Sequence, residues 1–93
     1  MSEKPKEDIL DIFETETTKR EVQFMNSSIL NWARYDKLMQ TLTISFKMTP
    51  GHYSYFNVPS EIANNLFALA HEGSAGKYFI KNIKNNFPFK RLT

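Results

Sequence analysis

Apolar and polar residues change rhythm along this chain, and each rhythm predicts an element. Over residues 27–36, Ile29, Asn31, Ala33 and Tyr35 fall on one side of an extended segment, with Leu30, Trp32 and Arg34 on the other. This alternation predicts a strand, and Asp36-Lys37 begins the turn that ends it. Leu42, Ile44, Phe46 and Met48 then alternate with Thr41, Thr43, Ser45 and Lys47, a period of two rich in β-branched and aromatic side chains. Thr49-Pro50-Gly51-His52 predicts a type II turn, because proline presets φ and glycine accepts a positive φ. Tyr53-Ser54-Tyr55-Phe56 follows as a third strand. Connections this short join neighbours, so the three strands predict an antiparallel meander.

The rhythm then becomes helical. Pro59 suits a first turn, and Glu61 lies near the positive end of the helix dipole. Ile62, Ala63, Leu66, Leu69 and Ala70 recur at the spacing of one helix face, which should cover the sheet. Gly73 is the expected stop. Ser74 is placed to cap a second helix over about residues 75–85, with Phe79, Ile80, Ile83 and Phe87 as its buried side and Pro88 as its end. The expected class is α+β: a three-stranded antiparallel meander followed by two helices packed on the sheet.

Residues 1–21 follow neither rhythm. They are polar and charged except for Ile9, Leu10, Ile12 and Phe13, of which 9, 12 and 13 would share a helix face. A helix of two or three turns is marginal alone in water, so the segment reads as a mobile N-terminal extension that docks on the chain or on a partner. The expected division is an extension over 1–21 and a folded domain over 22–93.

Composition narrows the class. Thirteen aromatics make up 14% of the chain, enough for Phe and Tyr to fill a small core. The longest apolar run, 66–70, is far too short to span a membrane, and the first eight residues show no apolar signal region. With no cysteine there is no disulfide framework, thiolate metal site or cysteine nucleophile. A small cytoplasmic protein stabilised by packing is the expectation.

Charge adds an asymmetry that the net value of +2 conceals. Residues 1–21 hold seven acids against four bases; residues 22–93 hold eight bases against three acids. After Gly73, Lys77, Lys81, Lys84, Lys90 and Arg91 meet no acid at all. On a continuous helix Lys77, Lys81 and Lys84 would fall within about 60° of one another, with Lys90 and Arg91 extending the row. Such a row neutralises phosphates by releasing condensed counterions. It also serves as a plain solvated face. Tyr53 and Tyr55 project from one side of their strand, where they either stack unpaired bases or fill the core. Trp32, the sole tryptophan, suits packing or a rim position. The two histidines, His52 and His71, have no partner at metal-ligand or catalytic spacing, and no nucleophile or glycine-rich loop motif is present. No catalytic residue, metal or cofactor is expected, and the chain does not read as an enzyme.

Several segments together resemble a known family. Ser27-Ser28-Ile29, Tyr35-Asp36, Leu42-Thr43-Ile44-Ser45-Phe46 and Tyr53-Ser54-Tyr55-Phe56-Asn57-Val58-Pro59 are similar to the KTSC domain family. So are Gly76-Lys77-Tyr78-Phe79, Ile83-Lys84 and Phe87-Pro88-Phe89-Lys90-Arg91-Leu92, and the likeness runs over about residues 26–92. That family takes its name from a short domain at the C-terminus of some lysyl-tRNA synthetases and includes small stand-alone bacterial and phage proteins. The resemblance implies RNA, with tRNA or another structured RNA as the preferred ligand. The matched positions are Tyr53, Tyr55, Lys77, Tyr78, Lys84, Lys90 and Arg91. Phe87 and Phe89 depart from it, standing where tyrosines are common, and the 1–21 extension has no counterpart in it.

Two functions follow as expectations. In the first, Lys77, Lys81, Lys84, Lys90 and Arg91 hold RNA phosphates while Tyr53 or Tyr55 stacks a base. In the second, the chain is a protein-interaction factor, a phage-encoded modulator of a host protein among the options, whose Ile9, Leu10, Ile12 and Phe13 dock in a partner groove.

Overall fold

The computed structural model describes residues 19–92. In chain order these form β1 (Lys19–Gln23), β2 (Leu30–Asp36), β3 (Thr41–Phe46), β4 (His52–Tyr55), α1 (Ser60–Phe67), α2 (Ala75–Asn82) and β5 (Phe89–Leu92). Two turns shape the centre of the sheet. Asp36 ends β2, and its Oδ1 accepts hydrogen bonds from the backbone N–H groups of Leu38 (3.0 Å) and Met39 (3.2 Å). This local bond competes with strand pairing and reverses the chain into β3. The second reversal places Gly51 at φ +88°, as a type II turn demands, and delivers the chain to β4.

The architecture is α+β, with an antiparallel sheet and two helices, but the sheet is wider than the pattern predicts. It has five strands in the order β1-β2-β3-β4-β5, every neighbouring pair antiparallel, and not a three-stranded meander. β1 crosses the expected boundary at residue 22 and adds to one edge; β5 adds to the other. Both are short and mostly exposed, so neither carries a run of buried residues for alternation to reveal.

β2 departs from simple alternation because of a bulge. Leu30 pairs with Phe46 while Trp32 pairs with Ser45, which leaves Asn31 as the extra residue. The bulge turns Leu30 and Ala33 both inward, each fully buried, and puts Asn31 outside. Its carbonyl still accepts from Phe24 N–H at 3.0 Å, which seats the Phe24 ring in the core at 1% exposure.

One face of the sheet carries Ala33, Tyr35, Leu42, Ile44 and Tyr55, and both helices pack on it. α1 buries Ala63, Leu66 and Phe67, with Pro59 at its N-cap and short i→i+3 turns continuing through residue 72. Ser74 occupies the N-cap of α2 without a side-chain cap bond. α2 stops at Asn82, short of the expected 85, because the N–H groups of Ile83 and Lys84 both turn back to the Phe79 carbonyl. Phe79 and Ile83 are buried as expected, whereas Ile80 is 47% exposed. Met48, which continues the alternation in the sequence, lies outside the strand: β3 ends at Phe46, and Met48 is in the reversal beyond it, 87% exposed.

Candidate nucleic-acid interface

The register of the last two strand pairs builds a site beside α2. Ile44, Tyr53 and Arg91 lie in one cross-strand row, and Leu42, Tyr55 and Phe89 in the next, all on the helix-bearing face. The rings meet at edges and tilts: Tyr55 lies 5.4 Å from Phe79 and 5.4 Å from Phe89, and Tyr53 lies 5.4 Å from Phe46. These are the offset geometries that ring quadrupoles favour. The Arg91 guanidinium sits over the Tyr53 ring at 5.9 Å, held there by a bond from Nη2 to the Pro50 carbonyl oxygen at 3.1 Å. Between these strands and α2 runs a groove of about 420 Å³, walled by Tyr53, Tyr55, Phe79, Ile80 and Phe89, with Lys84 at its mouth.

The groove is polar at a few points only. Of the four tyrosines, Tyr35 and Tyr78 donate their hydroxyls to the carbonyl oxygens of Val58 and Ile62. The hydroxyls of Tyr53 and Tyr55 find no partner among the described residues. Tyr55 is 4% exposed, and burial first, then the neighbouring Tyr53 phenol, raises its pKa above the ordinary 10.0. Its hydroxyl therefore stays protonated and able to donate.

The structure separates the residues that sequence singles out. Lys77 and Lys81 are exposed one turn apart on α2. Lys84 lies past the helix end and lines the groove, out of line with that pair. Arg91 joins the groove side. Lys90 pairs in register with Ser54 and so projects from the opposite face of the sheet, away from the other cations. Tyr53 is half-buried at the groove, whereas Tyr55 is enclosed by Phe79 and Phe89 and offers no ring face for stacking. Ile9, Leu10, Ile12 and Phe13 lie outside the described residues.

Sequence reasoning misses three groove residues. Ile29, Ile80 and Phe89 are 36%, 47% and 55% exposed, and all three line the same groove. No periodic signal marks them: Phe89-Lys90-Arg91-Leu92 reads apolar, polar, polar, apolar, and the three come from segments far apart in the chain. The face of the sheet opposite the helices holds Trp32, half-buried, with the Arg34 guanidinium 5.1 Å from its ring and His52 edge-on at 4.8 Å. Arg34 also pairs with Glu21 at 3.2 Å.

A match to the KTSC domain family model extends over residues 26–87, well over half of the chain. The chain belongs to the KTSC domain family. The fold agrees: a KTSC domain protein from Yersinia pestis, known from its crystal structure, superposes with a TM-score of 0.67 at 24% identity, covering 81% of this chain and 99% of that one. No curated protein matches the chain. The KTSC match holds β2 to α2, and with them Tyr53, Tyr55, Lys77, Lys81 and Lys84, while β5 with Phe89 and Arg91 falls beyond it. Of the residues that line the groove in this KTSC domain, Phe89 alone falls outside the matched segment.

Proposed function

We propose that this KTSC domain is a small, non-catalytic RNA-binding module of the cytoplasm. The observation that carries the reading is the set of Lys77 and Lys81 on α2, Lys84 in the lining of the groove and Arg91 over its Tyr53 wall, in a stretch of chain after Gly73 that holds no acid. None of the four forms an ion pair among the described residues, and cations of this kind neutralise phosphates by releasing condensed counterions. The family's name, taken from a lysyl-tRNA synthetase domain, makes tRNA the polyanion to test first. Contacts of this kind supply affinity and orientation with little sequence preference.

The test is binding of labelled bulk tRNA by the full chain across a salt series. Expected is micromolar affinity at low salt that weakens with a slope of a few phosphate contacts, about 0.7–0.9 per contact. Replacing Lys77, Lys81 and Lys84 together by Gln should reduce affinity at least about tenfold and flatten that slope by two to three. No binding at low salt, or binding indifferent to those substitutions, overturns the reading.

A further inference from the structure

We infer that the groove between α2 and β4–β5 is a subsite for one unpaired nucleotide of a single-stranded RNA segment, a reading that rests on the RNA-binding proposal. Three independent features of the groove point to the same ligand chemistry. Its volume, about 420 Å³, falls within the range of small-molecule pockets, and its walls are mainly aromatic rings and isoleucine side chains. Flat apolar walls of this kind take the face of a planar ring.

The second feature is the pair of unpartnered phenols. Buried polar groups in folded proteins almost always have a hydrogen-bond partner. Tyr55 is 4% exposed, lines the groove, and has no partner for its hydroxyl among the described residues. As a protonated donor, that hydroxyl can bond an acceptor atom of a ligand seated in the groove. Asn85 and Thr49, which also line it, add an amide and a hydroxyl. Ring nitrogens and exocyclic oxygens at the edge of a base supply what these groups need, and a base exposes that edge only when it is unpaired.

The third feature is the charge around the mouth. Lys84 lines the groove and Arg91 lies over the Tyr53 ring of its wall, so the site supplies cations for the anionic group of a seated ring. Lys81 and Lys77 add positive charge on the exposed side of α2, the two about 6 Å apart along its axis. One cation pair suits one phosphate; a run of cations leading away suits a strand. The occupant is therefore a nucleotide within a chain and not a free mononucleotide.

The experiment compares two labelled RNAs with equal numbers of phosphates, an oligouridine single strand and a fully paired duplex, by fluorescence anisotropy with the full chain. Two variants accompany it. Tyr55→Phe removes only the unpartnered hydroxyl and keeps the ring, and Ile80→Glu places a charge at a half-exposed position on the groove wall, so both should fold. The single strand is expected to bind about tenfold tighter than the duplex, with Tyr55→Phe costing about three- to tenfold and Ile80→Glu bringing the strand to the level of the duplex.

In parallel, methyl resonances of Ile29 and Ile80 are followed with the oligouridine, with uridine monophosphate, and with a synthetic peptide of residues 7–16. Shifts with the strand at concentrations where the mononucleotide produces none support the subsite. Equal binding of strand and duplex, unaffected by either variant, overturns the subsite and leaves the RNA reading standing. Absence of binding to either RNA, with silent methyl groups, overturns both. A mononucleotide that binds as tightly as the strand makes the ligand a free nucleotide and overturns the strand. Methyl shifts with the acidic peptide but with neither nucleotide make the groove a protein-docking site instead.

Discussion

Gly76 lies buried in α2 with Ile29 pressed against it, so that a methyl at its Cα would meet Ile29 Cδ1 at 3.0 Å and Cβ at 3.3 Å. Alanine gains about 1 kcal/mol of helix propensity over glycine, and overpacking costs about 1–3 kcal/mol. Overpacking wins here, because Ile29 has little room to retreat: its carbonyl accepts from Lys47 N–H at 2.8 Å and its own N–H donates to Ser27 Oγ at 3.1 Å. Gly76→Ala should therefore lower stability by about 1 kcal/mol, read from the urea midpoint, although the same change on an exposed helix stabilises. Tyr35 gives a second test. Its hydroxyl donates to the carbonyl of fully buried Val58, so Tyr35→Phe strands that oxygen and should cost about 1–3 kcal/mol. Burial, and then the negative charge of Asp36, raise the Tyr35 pKa above 10.0, and Tyr55 is raised in the same direction. The folded state keeps these protons at a pH where the unfolded chain releases them. Their contribution is full below pH 10 and is lost as pH rises through the folded values. Thermal midpoints should fall as pH climbs above 10, less steeply in Tyr35→Phe than in the parent chain.

Edge strands β1 and β5 differ from the centre of the sheet in what holds them. β3 pairs on both sides and buries Leu42, Ile44 and Ser45, whereas all four residues of β5 are exposed and only β4 pairs with it. Local opening follows such differences, so amides of β5 should exchange with solvent at least about tenfold faster than those of β3. The same difference decides what can be read from sequence. β3 and α1 are legible because one face of each is buried and the apolar period follows. The Pro50-Gly51 turn is legible because its backbone demands those residue types. β1 has Val22 as its one apolar residue, and β5 is a short edge, so burial writes no pattern into either. The bulge at Asn31 breaks the phase of β2, which is why Leu30 and Ala33 both point inward. The groove was legible only in part. Tyr53, Lys84 and Arg91 stand out by type, but Ile29, Ile80 and Phe89 become one surface only through tertiary contact between distant segments.

At the scale of the whole molecule, two faces of one sheet carry different chemistry. The helix-bearing side carries Lys77 and Lys81 on α2 and Lys84 and Arg91 at the apolar groove, and the opposite side mixes Lys19, Arg34 and Lys90 with Glu21 and Asp36. Strand geometry sends neighbouring residues to opposite faces, so Lys90 and Arg91 sample the two sides with equal charge and nearly equal position in the chain. If RNA lies along α2 and the groove, Arg91→Gln removes a phosphate contact and an anchor over Tyr53, whereas Lys90→Gln removes only a distant charge. Arg91→Gln should weaken tRNA binding about three- to tenfold at low salt and reduce the salt slope by about one. Lys90→Gln should change affinity less than about twofold, since exposed charges more than about 10 Å apart are screened at moderate ionic strength. Affinities measured for both variants over the same salt series separate a one-sided interface from general attraction to a basic chain: equal losses would mean that net charge, and not the groove side, holds the RNA.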